Sequence, residues 1–458
     1  MENGDTNIIM WKYMKLGEVL YVIRGISFPK DAKRNNFSHN SIACLRTANV
    51  QREIQWDDLW FVDEKYVSRE EQYIKQYDIL ISTANSLELL GKVALVKIIP
   101  RKATLGTFIV NLRTPEVLNP KWVYYYLCST DFKKKVQEKA STTTNISNIS
   151  TGKLKEIELP FAPLPEQHRN VAKIEELFSE LDKGVESLKA AQQQLKIYRQ
   201  AVLKWAFEGK LNKNLNTSIQ NVRLEELCDF ITKGTTPVKG NILNGEGEIP
   251  FIKVYNLTFS GILDFSVDPS FVTKEIHNGF LSRSKILPGD VLMNIVGPPL
   301  GKVSIVPNVF PEWNINQAIV RFRCDKQLNN RYLAHFLLSK VNVEKMKKRA
   351  KATAGQFNLT LEICRNIEIP LYSFKEQTEI VQEIESRLSV CDKMEESINQ
   401  SLAQAEALRQ SILKKAFEGK LVPQDPNDEP AEKLLERIRA EREAQKPEKK
   451  VTKGRTRK

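Results

Sequence analysis

The sequence predicts an α+β fold with an internal twofold repeat. Two β-rich domains are each followed by a long amphipathic helix, and the two helices pair as an antiparallel coiled coil. Three observations predict this. One hexapeptide occurs twice, 210 residues apart. A heptad pattern runs through the roughly forty residues before each copy. The segments ahead of each heptad run break into short β-like stretches punctuated by Gly, Pro and Asn.

The chain has 458 residues, 41% of them hydrophobic, enough for about three compact units at roughly 150 residues each. No apolar run approaches the roughly 20 residues that cross a bilayer. Residues Met1 to Met14 include Glu2 and Asp5 and do not read as a secretory signal. Cys44, Cys128, Cys228, Cys324, Cys364 and Cys391 never fall as C-x-x-C, and His39, His168, His277 and His335 form no ligand pairs. A reduced, cytoplasmic protein without a structural metal is expected. The net charge of +13 points to a polyanionic partner. Six of those charges fall in Lys446–Lys458, which has seven Lys/Arg and one Glu and is expected to be disordered.

Taken in order, residues 1–158 form the first β-rich domain and 159–211 the first helix region. Residues 212–368 form the second β-rich domain and 369–422 the second helix region. A charged helix and basic tail occupy 423–458. The strand candidates include Ile79–Ser82, Lys92–Ile98, Phe251–Val254, Val291–Ile295 and Ala318–Phe322.

The repeated hexapeptide is Ala206–Phe207–Glu208–Gly209–Lys210–Leu211 and Ala416–Phe417–Glu418–Gly419–Lys420–Leu421. In-register identities extend upstream: Pro160 with Pro370, Glu166–Gln167 with Glu376–Gln377, Asp182–Lys183 with Asp392–Lys393, Arg199–Gln200 with Arg409–Gln410. In the first copy, a positions hold Val171, Phe178, Val185, Gln192, Arg199 and Ala206, and d positions hold Ile174, Leu181, Leu188, Leu195 and Val202. The second copy places Val381, Leu388, Glu395, Leu402, Arg409 and Ala416 at a. Each helix is predicted from just after Pro165 or Lys375 to just before Gly209 or Gly419, a rod of roughly 60 Å. Polar Gln192, Arg199, Glu395 and Arg409 on the seam weaken it but fix partner and register.

The β-rich domains match more weakly. Asp78 answers Asp290, Gly91–Lys92–Val93 answers Gly301–Lys302–Val303, and Arg46-x-x-Asn49 answers Lys253-x-x-Asn256. Loops beginning Arg24–Gly25 and Lys233–Gly234 put a base beside a glycine and continue with polar residues. Arg and Lys can pair with guanine in the major groove, Asn with adenine, while other cations neutralise phosphate. Candidate DNA contacts are Arg24, Lys33, Arg34, Asn35, Arg46 and Asn49 in the first domain. In the second they are Lys233, Thr235, Thr236, Lys239, Lys253 and Asn256.

Catalytic motifs are missing. Gly297–Lys302 is one residue short of a phosphate loop, and Val303 stands where Ser or Thr is required. There is no Asn/Asp-Pro-Pro-aromatic segment and no glycine-rich cofactor loop. A rival reading is a duplicated coiled-coil scaffold whose β-rich domains bind protein. A methyltransferase–nuclease fusion is disfavoured by the missing cofactor motifs.

Ile157–Glu158–Leu159–Pro160, Pro163–Leu164–Pro165–Glu166–Gln167 and the helix ending in the hexapeptide resemble type I restriction specificity subunits, as does the second copy. The second copy departs from the pattern at Ser373–Phe374–Lys375. The resemblance implies that each β-rich domain reads half of a split site on double-stranded DNA and that the helices set the gap between halves. It also implies two modification subunits that use S-adenosylmethionine to methylate adenine, and restriction subunits that use ATP and Mg. No cofactor is expected in this chain, which would be non-catalytic and free of membrane. On the same resemblance, Glu166, Gln167, Arg199, Phe207, Glu376, Gln377, Arg409 and Phe417 are candidate partner contacts.

Overall fold

A computed structural model describes residues 11–143, 146–211, 219–353 and 356–444. The basic tail Lys446–Lys458 lies outside the described residues. The chain forms two compact units that do not follow chain order. One comprises Met1–Glu186 with Leu402–Lys458, the other Ser187–Ser401. Each long helix is therefore shared between them.

The helices run Leu164–Phe207 and Phe374–Phe417, 44 residues each. Their sequences start differently because two devices solve one problem, the unpaired N–H groups of a first turn. In the first helix Pro165 sits in that turn, where a missing N–H costs nothing. In the second, Ser373 Oγ accepts from the Glu376 N–H (3.3 Å) while Glu376 Oε2 accepts from the Ser373 N–H (3.0 Å), a capping box. Both helices stop at a glycine in the left-handed region, Gly209 (φ 71°) and Gly419 (φ 70°).

Within each unit the two helix segments lie antiparallel. In the first unit Val171, Ile174 and Phe178 share a core with Ile412, Leu413, Ala416 and Phe417. In the second, Val202, Leu203 and Ala206 share one with Ile380, Val381 and Ile384. The polar seam residues are paired. Asp182 accepts from Arg409 (2.5 Å), Arg199 donates to Asp392 (2.6 Å) and Glu395 (3.0 Å), and Gln192 donates to Asn399 (3.2 Å). Asp182 and Asp392 are equivalent in the repeat, as are Arg199 and Arg409. Each copy thus gives its Asp to the other copy's Arg.

The first unit's main sheet orders Tyr21–Arg24, Ile109–Arg113, Ile79–Ser82 and Val93–Leu95. The second unit repeats it as Cys228–Lys233, Ile319–Cys324, Val291–Asn294 and Val303–Ile305, with Gly261–Ile262 added at the edge. In each, a strand from the start of the β-rich segment pairs antiparallel with the strand leading into a long helix: Lys12–Lys15 with Glu158–Phe161, and Gln220–Arg223 with Glu368–Leu371. Ile79–Ser82 has the predicted limits. The strands at the other four candidate runs are Val93–Leu95, Ile249–Ile252, Val291–Asn294 and Ile319–Cys324. The Gly297–Lys302 segment is a turn: Asn294 Oδ1 accepts from the Gly301 and Lys302 N–H groups, and its Nδ2 donates to Val296 and Pro299 carbonyls. Burial pushes the Cys44 thiol up to about 12, so it stays protonated and unreactive at neutral pH.

The helix Ala431–Ala444 packs in the first unit, with Leu434 and Ile438 in the same core as Leu16 and Leu20. Lys12 pairs with Glu432 (2.6 Å) and Arg169 with Asp428 (2.6 Å) beside it. No helix among the described residues is long and apolar enough to cross a membrane.

Candidate nucleic-acid interface

The two β-rich frames hold their loops by the same buried contacts. Asp78 and Asp290 are buried carboxylates, and each receives a forked pair of bonds from an arginine on the neighbouring strand. Arg113 donates at 2.7 and 2.8 Å, Arg323 at 2.8 and 2.7 Å. Such pairs are rigid and satisfy the charge that burial would otherwise penalise. The Gly25 and Gly234 positions also match. A Cβ at Gly25 would collide with the Gly106 carbonyl oxygen, and one at Gly234 with those of Ile315 and Asn316. These glycines let one backbone cross close to another at the end of a main-sheet strand.

On that frame the candidates separate. In the first unit Lys33 and Arg46 both lie over the Trp60 ring, at 4.5 and 5.2 Å from its centroid. Arg46 is also paired with Asp58, while Arg34 and Asn35 are exposed nearby, Arg34 bonded to Ser38 Oγ (2.8 Å). Arg24 belongs to a different cluster, its Nε donating to Thr151 Oγ1 (2.9 Å). In the second unit Lys233 and Lys239 are exposed, Thr235 is half-buried, and the Thr236 hydroxyl donates to Gln317 Oε1. Lys253 is half-buried, its ammonium 5.5 Å from the Tyr255 ring.

Two candidates are corrected. Asn49 and Asn256 are 2% and 1% exposed, which takes them away from any base. Asn49 Oδ1 accepts from the Arg46 N–H (2.9 Å), and its Nδ2 donates to the Gln55 and Asp57 carbonyls. Asn256 repeats this with Lys253, Asp264 and Val267. The Arg46/Lys253-x-x-Asn match marks a turn lock.

The partner-contact candidates are likewise engaged inside the chain. Gln167 and Gln377 are fully buried, and each Nε2 donates back to a carbonyl just ahead of its helix, Ala162 (2.9 Å) or Tyr372 (2.8 Å). Glu166 is buried and accepts from Trp11 Nε1 (3.0 Å); burial raises its carboxyl above the usual range against that bond and the nearby Arg169 charge. Glu376 caps its own helix. Phe207 packs edge-on against Tyr332 and Phe336, and Phe417 packs edge-on against Tyr126 and tilted against Trp122, so each hexapeptide anchors its helix to a β-rich domain. Arg199 and Arg409 hold the helix pair. Burial pushes the Asp182 carboxyl up, but bonds and charges from Arg52 and Arg409 outweigh it and hold it below the usual range.

Sequence reasoning missed Arg69, Lys155 and Gln317, which the fold brings beside the candidate loops. Gln317 had a faint signal, since it follows the turn that Gly234 crosses.

The family model described as "Type I restriction modification DNA specificity domain" matches residues 9–192 and again 216–404. The specificity subunit of type I restriction enzyme EcoKI from Escherichia coli K12 is 27% identical over 454 residues, spanning 95% of this chain and 96% of that one. The StySPI specificity subunit of Salmonella potsdam is 26% identical, over 94% and 95%. Among solved structures, a chain from a study of complex assembly and conformational transition of the type I R-M system has a TM-score of 0.67 at 20% identity. It covers 90% of this chain and 98% of its own. The HsdS subunit of Thermoanaerobacter tengcongensis has a TM-score of 0.50 at 18% identity, covering 92% and 100%. With two matches that together span most of its length, the chain belongs to the type I restriction modification DNA specificity family.

Proposed function

We propose that this chain is the sequence-reading subunit of a type I restriction–modification assembly. Each β-rich domain reads one half of an interrupted DNA target. The observation that carries the reading is the contrast inside the repeat. The buried frame is kept in both units, with its Asp–Arg fork, its Asn lock and its crossing glycine. The polar residues mounted on that frame differ: half-buried Lys33 with exposed Arg34 and Asn35 in one, exposed Thr236, Lys239 and Gln317 in the other. Two readers with one scaffold and two surfaces suit a target with two dissimilar halves.

In this proposal the chain performs no chemistry. Two modification subunits supply S-adenosylmethionine and methylate adenine, and restriction subunits use ATP and Mg. Mapping methyl-adenine across the genome with and without this chain tests the reading. The expected outcome is an interrupted site with two different halves that vanishes when the chain is deleted. A continuous site, or a perfect palindrome, counts against it.

A further inference from the structure

Arg24 stands at the end of the strand Tyr21–Arg24, in an open cleft of about 300 Å³ lined by Val22, Arg24, Arg69, Thr151, Gly152 and Lys155. Three of those six residues are cationic, and none carries a carboxylate. Arg24 and Lys155 have no ion-pair partner among the described residues, while Arg69 pairs with Glu71 (2.6 Å).

The cluster is built by buried contacts. Gln72, 7% exposed, donates from Nε2 to the Arg24 carbonyl (3.3 Å). Its Oε1 accepts from the Ser68 (3.0 Å) and Arg69 (3.2 Å) N–H groups. One amide thereby staples the Arg69 segment to Arg24. Thr104 Oγ1 fixes the backbone behind it through the Gln72 carbonyl (2.9 Å). Arg24 is aimed by its bond to Thr151. Lys155 is admitted by Gly17, where a Cβ would come within 2.8 Å of the Lys155 Cβ. Gathering three like charges is unfavourable unless an anion sits among them. An arginine fork and an ammonium suit a phosphate oxygen cluster.

We propose that Arg24, Arg69 and Lys155 clamp one phosphodiester of the DNA backbone, with Gln72 as the positioning residue. This rests on the reading of the chain as a DNA-recognition subunit. It assigns Arg24 to anchoring and takes it away from base reading. The second unit does not repeat this arrangement residue for residue. At the equivalent places the second has Leu361 for Thr151, and Arg365, for Lys155, donates to the Ile231 carbonyl (3.4 Å).

The test uses the assembly that the full chain forms in its host. It is titrated by fluorescence anisotropy with two duplexes of equal length, the mapped target and a scrambled sequence, over a KCl series. In Arg24→Ala and Lys155→Ala, affinity should fall about tenfold on both duplexes alike. The plot of log affinity against log salt should become shallower by about one. Arg24→Lys should keep the slope, because a phosphate needs charge more than a fork. Gln72→Leu should reproduce the loss in Arg69→Ala; should Gln72→Leu fail to fold, the exposed Arg69→Ala decides alone. A loss confined to the target duplex, or an unchanged slope, overturns the clamp while the DNA reading stands. Wild-type protein that binds neither duplex overturns the DNA reading itself, and the clamp with it.

Discussion

Asn49 and Asn256 carry the side chain best suited to read adenine, yet both are used on their own turns. All three side-chain hydrogen bonds of Asn256 go to backbone groups, in a site sealed from water. Asn256→Ala should therefore cost roughly 2–3 kcal/mol of stability, because it leaves buried backbone groups unpaired. Urea unfolding measures that loss, and the methylated sequence should not change. Glu166 makes a second prediction at this scale. Its folded carboxyl titrates above the unfolded one, so the fold disfavours the charged form. That cost is absent below the unfolded carboxylate range and fully present once pH exceeds the raised value. Glu166→Gln keeps an acceptor for Trp11 and removes the charge. It should raise the melting temperature at neutral pH and lose this advantage on acidification toward pH 4. An equal gain at both pH values would show that charge is not the cause. The matched positions of Asp78 and Asp290 were legible in the sequence. Their partners were not, because Arg113 and Arg323 stand 35 and 33 residues away with no periodic relation to them.

At the scale of elements, the long helices were legible almost to the residue. A heptad pattern with six successive a positions leaves little freedom, and a glycine after each helix marks its end. The strands were less so. Ala103–Leu105 is buried on both faces, so it shows no alternation, and three residues are too few to set a period. The polar seam residues were visible as interruptions, but their reciprocal Asp–Arg pairing only appears once the helices lie antiparallel. That pairing makes an insertion experiment sharp. Adding one heptad after Leu188 and one after Leu402 lengthens both helices by roughly 10 Å while keeping every a and d position in phase. The methylated site should keep both half sequences and widen its gap by about three base pairs. Four-residue insertions rotate the seam and should abolish assembly. An unchanged gap in the heptad variant would show that helix length does not set it.

For the whole molecule, charge is unevenly placed. Six of the net +13 charges fall in Lys446–Lys458. Deleting these residues should weaken binding to any duplex and flatten its salt dependence, with the methylated sequence unaltered. A changed sequence in the methylation map would contradict this. The duplication was plain in the sequence, but the composition of each unit was not. Ile412, Leu413, Phe417, Leu434 and Ile438 lie far along the chain from Leu16, Leu20 and Trp122, yet share a core with them.

That shared core sets an order of events during synthesis. Ser187–Ser401 leaves the ribosome as one uninterrupted stretch and contains all the apolar residues its own core requires. The first unit begins earlier and finishes later. Its β-rich part must wait for Leu402 onward before the faces of Trp122, Tyr126 and Leu20 are covered. A chain stopped after Ser401 should yield a protease-resistant fragment from the second unit while the first is digested, as mass spectrometry of the fragments would show. An intact first unit in that chain would refute the order. Premature termination late in translation would thus leave a molecule with one reader folded and the other, although wholly translated, exposed to proteolysis and aggregation.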